Sequence, residues 1–472
     1  MSLTKASYSM IDGAPVNVLD FGAVGDGSHD DTQAIKDAIA FCQTTLSSLY
    51  FPTGIYKITS TITLAGPGNL GIAFIGDGFG QGSQQQGSVR PATTLRWTGG
   101  ASPMFTVAGT FYRFVGMAIE NFGSATDFLN CTGAMHMVLE NLSFEVGLGA
   151  TRFSNSVIKT QGNWLGYSKI IGCQVVSPAP RFIKIDGQGT GNGITTLQIS
   201  ECVFDTFTSA PMTVVGIKDE SIDILTLNNN TFNQQNNAEL TVVETNDTPI
   251  AQAILSLQIL YNEFDIVSSD ASHRAFRLTN CPNVCFVGNQ IQGGGTPNRL
   301  ADLVNSVVAK CEGNHVNALN GPIFNADATS RVYAGVNYLT PGNSDTVVNN
   351  TSVTSGMIEM PYGTSVIVKG GLGVGTGTTV YRVVVTNTTA FTLSIAAPGD
   401  SSNQSFMTRG QVFGVMVKNT SGGAITINIA SNFKLVGGAF PVPATGNSRT
   451  VTFIWDGTNA IEIGRTTADV PN

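Results

Sequence analysis

At 472 residues, with 12% charged residues, 42% hydrophobic residues and 54 glycines, the chain has an all-β composition and enough apolar material for a long core. A net charge of −8 and a pI near 5.0 argue against nucleic acid as a partner, because phosphate recognition needs clustered Lys and Arg. No apolar run reaches membrane-spanning length and the first residues lack the pattern of a signal peptide, so membrane insertion is not expected.

In chain order, residues 1–15 form a short N-terminal arm. Residues 16–64 read as a capping segment. Val16 to Phe21 is an apolar strand running into a Gly/Asp turn. A helix should follow, with Asp30 as its cap, Gln33 reaching back, and Ala34, Ile35, Ala38, Ile39 and Phe41 as its apolar face. Leu49 to Ile58 reads as strand, turn, strand. Asp20, Asp26, Asp30 and Asp31 sit at turns and a helix start, where carboxylates accept backbone N–H bonds. Gly76 to Gly82 is expected to be a loop and not a phosphate cradle, since no helix pattern or Lys-Ser/Thr follows it.

Asp20-Phe21-Gly22-Ala23, Gly25-Asp26-Gly27, Asp30-Asp31-Thr32 and Phe51-Pro52-x-Gly54-x-Tyr56 resemble the opening segment of the pectate-lyase-like right-handed β-helix superfamily. The stretch from Tyr8 to Val18 looks like the junction leading into the β-helix of bacteriophage tailspikes. The resemblance covers about residues 8–60. It implies a homotrimeric protein of the phage tail, docked to tail or baseplate proteins and assembled in the host cytoplasm. Such a protein binds, and usually depolymerises, a bacterial surface polysaccharide such as capsule or O-antigen, and needs no cofactor.

Residues 65–340 read as the solenoid, within which a four-residue phrase recurs from Gly116-Met117-Ala118-Ile119 through Glu201-Cys202-Val203-Phe204 and Tyr261-Asn262-Glu263-Phe264 to Gly313-Asn314-His315-Val316. Its closing apolar residues are 25, 31, 29, 28, 32, 27 and 25 positions apart. A drifting period near 28 suits stacked coils joined by unequal loops, and each phrase follows a short alternating strand. The expectation is a parallel β-helix of three strands per coil. Asn or Cys in the second place of the phrase would form an internal ladder at a bend. The seven cysteines include no CxxC pair, and several lie in or beside these phrases, so buried thiols are expected and not disulfides or zinc ligands.

Any chemistry should then lie on outward files of side chains spaced about 4.8 Å from coil to coil. One file reads Glu145, Val176, Asp205, Asn233, Asp265, Gln292, Asn317. Within it Asp205 and Asp265 stand two coils apart, near the separation that inverting glycosidases use to place a water between acid and base. The next strand of each coil gives Asn130, Lys159, Lys184, Gly216, Glu244, Arg277. In this file Lys159, Lys184 and Arg277 would hold an anionic sugar and Glu244 would act as acid or base. Glu239 and Asp247 flank Glu244, and His273 and Arg274 precede Arg277. The expected groove therefore covers residues 200–280. Trp164 and Tyr167 are candidate sugar platforms.

The pattern favours hydrolysis by a carboxylate pair. A metal-free lyase, with His273, Arg274 or Arg277 as base, and a spike that binds without cutting are the alternatives. Of the polygalacturonase motifs only Asp30-Asp31 occurs, in the opening segment, and no carboxylate cluster suited to calcium is found. Around residue 340 the period ends, with a linker expected at 339–343. Residues 341–472 read as alternating strands of a β-sandwich-like domain for trimer assembly or sugar contact, with Trp455 assigned to a core or interface.

Overall fold

The computed structural model describes residues 15–471, except 66–70, 79–92, 133–134, 146–149, 161–165, 188–193, 207–209, 219, 235–237, 247–252, 269–272, 296–299, 306, 318–322, 328–329, 335–337, 340–347, 350–356, 361–364, 369–378, 396–409 and 411. The expected arm, the tip of the Gly76–Gly82 loop, Trp164, Asp247 and the linker from residue 340 onward lie outside the described residues.

Two compact units result, the first built mainly of Met1–Val307 and the second mainly of Thr346–Asn472. In the first unit the capping helix spans Thr32–Thr45 and buries Ile35, Ala38, Ile39 and Cys42, spaced 3, 1 and 3 along one stripe. Phe41 falls off that stripe. It is exposed and packs on Phe21, with ring centroids 5.5 Å apart. The cap position belongs to Asp31 and not to Asp30. Its carboxylate, however, takes the N–H groups of Val24 at 2.6 Å and Gly25 at 3.2 Å, and so fastens the preceding turn. Asp30 accepts from the Thr32 hydroxyl and backbone N–H, and Gln33 bonds Asp37. Asp26 closes its own turn, and the N–H groups of His29 and Ser28 hold its carboxyl below the usual range.

After the cap the chain winds as a right-handed parallel β-helix of about 11 turns with about 28 residues per coil. A representative coil runs through the strands Ile222–Asn228, Thr231–Gln234 and Leu240–Asn246, each paired in parallel with its equivalent one coil on. The closing residues of the repeated phrase stack inside: Phe144, Val175, Phe204, Phe232 and Phe264 are register neighbours. The rings of Phe204 and Phe232 lie 5.3 Å apart at 10°, and those of Phe232 and Phe264 lie 5.1 Å apart at 11°. Such pairs contribute about 0.5–1.5 kcal/mol each beyond the area they bury.

The second place of the phrase is the expected ladder. The N–H of Cys202 donates to Asn230 Oδ1 at 3.0 Å, that of Asn230 to Asn262 Oδ1 at 2.9 Å, and that of Asn262 to Asn289 Oδ1 at 2.9 Å. The first place has a different cause: Gly116, Asn141, Gly172, Glu201, Asn229, Tyr261, Gly288 and Gly313 all have φ between 51° and 68°. This left-handed bend is what selects Gly and Asn there, and Glu201 and Tyr261 are the residue types it disfavours. The seven cysteines form no disulfide. Burial alone pushes the Cys42 thiol up to about 12; burial, and secondarily Asp127, does the same for Cys131. These thiols are packing groups.

In the second unit the strands Met357–Met360, Thr379–Val385 and Val412–Asn419 pair in parallel, as do Ser365–Val368, Phe391–Ile395 and Ile427–Ile429 in a second sheet. Antiparallel pairing begins only with Asn447–Trp455 and Ala460–Arg465. Both sheets contribute to one core containing Val383, Leu393, Val415, Phe453 and Trp455, and Trp455 is 2% exposed. No described helix is long and apolar enough to cross a membrane.

Candidate functional site

The two outward files have the register read from the sequence. Val176 pairs with Asp205, Asp205 with Asn233, Asn233 with Asp265 and Asp265 with Gln292. Asn130 pairs with Lys159, Lys159 with Lys184, Lys184 with Gly216, Gly216 with Glu244 and Glu244 with Arg277, and the file continues to Asp302. The files belong to two different sheets. Val203–Asp205 lies in one of these sheets and Met212–Lys218 in the other, so the residues expected in a single groove over 200–280 form two sets of side chains.

The first set is an aspartate pair with an amide between. Asn233 Nδ2 donates to Asp205 Oδ2 at 3.1 Å and fixes that carboxylate. Asp265, one coil further, is half-buried, and its Oδ1 is enclosed without a hydrogen-bond partner among the described residues. Burial pushes the Asp265 carboxyl above the usual aspartate range. Two coil steps put the backbones of Asp205 and Asp265 about 9.6 Å apart. A carboxyl favouring its proton and a carboxylate fixed by an amide, at this separation, can protonate a leaving oxygen and activate a water on the opposite side.

The second set is centred on Arg277. Its Nη2 bonds Glu239 Oε1, and its Nη1 donates to Glu244 Oε1 at 3.1 Å. The Arg277 side chain keeps 38% of its surface exposed, against 12% for Glu244. Lys184 bridges to Asp186 at 2.9 Å and bonds Asn155, while Lys159 stays half-buried beside it. Gly216 leaves room for Arg181: a Cβ there would sit 2.9 Å from Arg181 Nε. This face therefore carries Arg181, Lys159 and Lys184 at one end and the arginine-bridged glutamates at the other.

His273 and Arg274 are not solvent-facing sugar ligands. His273 is 8% exposed with Nδ1 2.9 Å from Gln234 Nε2, and Arg274 is 6% exposed, bound to Asp302 at 2.8 Å and to the His273 carbonyl. Tyr167 is exposed as expected, but one ring face is covered by His136 at 5.0 Å, which in turn stacks on Phe111.

Glu220 was not singled out by the sequence. It is 1% exposed, its Oε2 has no partner among the described residues, and burial pushes its carboxyl up. It lies two residues beyond the strand Met212–Lys218, outside the periodic pattern.

Residues 15–145 match the family model described as rhamnogalacturonase A/epimerase, pectate lyase-like. A stretch of 51 residues is 47% identical to the plasmin and fibronectin-binding protein A of Streptococcus pneumoniae (strain ATCC BAA-255 / R6); it spans 10% of this chain and 7% of that protein. Among solved structures, tailspike protein 3 of bacteriophage CBA120 aligns over 98% of this chain and 72% of its own, with 12% identity and a TM-score of 0.50. The mannuronan C-5 epimerase AlgE4 A-module of Azotobacter vinelandii aligns over 71% of this chain and 100% of its own, with 15% identity and a TM-score of 0.41. Residues 15–145 thus resemble a pectate-lyase-like family, and the right-handed parallel β-helix is a fold that the chain shares with a phage tailspike.

Proposed function

We propose that the protein is a phage tailspike that binds a bacterial surface polysaccharide, capsule or O-antigen, and cleaves it by glycoside hydrolysis with inversion. The observation that carries the reading is the file Asp205, Asn233, Asp265, in which one carboxylate is held by an amide and the other is pushed toward its protonated form. Asp265 is the general acid and Asp205 the base that activates water. The second file binds: Lys159, Lys184 and Arg277 meet acidic sugars, with Glu239 and Glu244 orienting Arg277. Asp247, a catalytic carboxylate candidate from the sequence, and the sugar-platform candidates Trp164 and Tyr167 complete the proposed set. The pectate-lyase-like match over residues 15–145 and the fold shared with a tailspike support this reading. The proposal extends to a homotrimer at the virion tail, docked to tail or baseplate proteins.

A second reading has its own observation. Of the three base candidates for a metal-free lyase, His273, Arg274 and Arg277, Arg277 alone keeps a substantial exposed surface, and in that reading it takes the proton beside a uronate. A reducing-sugar assay on purified capsule and lipopolysaccharide, with an ultraviolet scan of the products, tests both. Reducing ends without ultraviolet absorption support hydrolysis. An unsaturated product assigns the chemistry to the Arg277 face, and binding without cleavage makes the protein a receptor-binding spike.

A further inference from the structure

Tyr261 stands apart from its equivalents. Its φ is 55°, at a bend where six of the eight coils carry Gly or Asn, and its side chain is 63% exposed. An exposed aromatic ring held in a disfavoured backbone conformation calls for a reason outside packing. Gly288, one coil on, is what admits the ring: a Cβ there would sit 2.5 Å from Tyr261 Cε1 and 2.6 Å from Cδ1. Around the ring lies an open cavity of about 260 Å³, bordered by Asn229 and Thr231 on one coil, Glu263 beside Tyr261, and Gly288 and Gln290 on the third.

The side chains of Asn229, Thr231, Tyr261, Glu263 and Gln290 make no hydrogen bond with any described residue, whereas Asn230 and Asn262 between them are spent on the internal ladder. We propose that Tyr261 and these groups form a sugar subsite that takes one pyranose ring of the polysaccharide. The assignment rests on the polysaccharide reading above. An aromatic platform rimmed by amides, a hydroxyl and a carboxylate matches a ring with C–H groups on its faces and hydroxyls at its edge. The rim holds one carboxylate and no cation, so the sugar bound there is neutral or amino-substituted and not a uronate. Glu263 and Asp265 alternate on one strand, on the same outward face and about 7 Å apart, so a glycan seated on Tyr261 continues to Asp265.

The test compares the full chain with Y261N and Y261F, measuring equilibrium binding to a panel of purified bacterial capsular polysaccharides and O-antigen chains, and thermal melting of each variant. Asn fits the left-handed bend, so Y261N melts at or above the unaltered protein, yet it binds the recognised glycan about ten-fold more weakly because the platform is gone. Y261F keeps the platform and binds within about three-fold. If Y261N binds as tightly as the unaltered protein, the subsite is refuted while the polysaccharide reading stands. If the unaltered protein binds none of the panel, both fall.

Discussion

Asn262 Oδ1 accepts two hydrogen bonds from Asn230, one from the backbone N–H at 2.9 Å and one from the side-chain amide at 3.0 Å. Asn289 does the same for Asn262, and each amide also bonds a carbonyl, Ile199 for Asn230 and Leu227 for Asn262. The ladder thus joins each coil to its neighbours through side chains that are 1% exposed.

Asn262→Ala strands the N–H and amide of Asn230 and the carbonyl of Leu227 in a dry bend. Leaving such groups unsatisfied costs about 1–3 kcal/mol each before relaxation, so a net loss of about 3 kcal/mol is expected. A lowered urea midpoint measures it. Catalytic constants on a cleaved glycan should stay unchanged in the folded protein, because the ladder faces inward.

Arg277 offsets two carboxylates at once. Arg277→Met leaves Glu239 and Glu244 facing each other, with an expected destabilisation of about 1 kcal/mol, modest because the guanidinium is partly exposed. Adding Glu244→Gln should recover most of that loss, and a double-mutant cycle by denaturant titration reads the coupling. Full additivity of the two changes would contradict the bridge.

Burial raises the Asp265 carboxyl above its ordinary value of 3.8, so the native state holds this proton more tightly than the unfolded chain. The stability this gives is complete below pH 3.8 and is lost as pH rises through the folded value. Asp265→Asn removes the penalty that remains at neutral pH. The variant should therefore melt higher than the unaltered protein at pH 7 and no higher at pH 3. Melting curves at the two pH values check the sign.

Much of this architecture is legible in the sequence because a coil repeats its apolar closing residue near every 28 positions. Once Phe204, Phe232 and Phe264 are aligned, the residue after each must face outward, and Asp205, Asn233 and Asp265 fall into file. What a side chain touches across coils is not legible. Arg274 reads as a solvent-facing cation, yet it is buried against Asp302, 28 residues away. Asp30 and Asp31 are adjacent and chemically equal, yet the Asp31 carboxylate fastens the turn at Val24 while that of Asp30 accepts the Thr32 N–H at the helix start. In the second unit, alternation announces strands but not their direction, so the parallel pairs around Thr379–Val385 are not legible there. Glu220 carries no periodic signal at all.

The central claim is hydrolysis by the Asp205 and Asp265 pair. Its most direct test is the release of reducing ends from a polysaccharide cleaved by the unaltered protein, measured beside D205N and D265N. Loss of a general acid or base removes about 10²–10⁴ of the rate, so each variant should be slowed by at least that lower bound while still binding the glycan. Full cleavage activity in both variants would contradict the account.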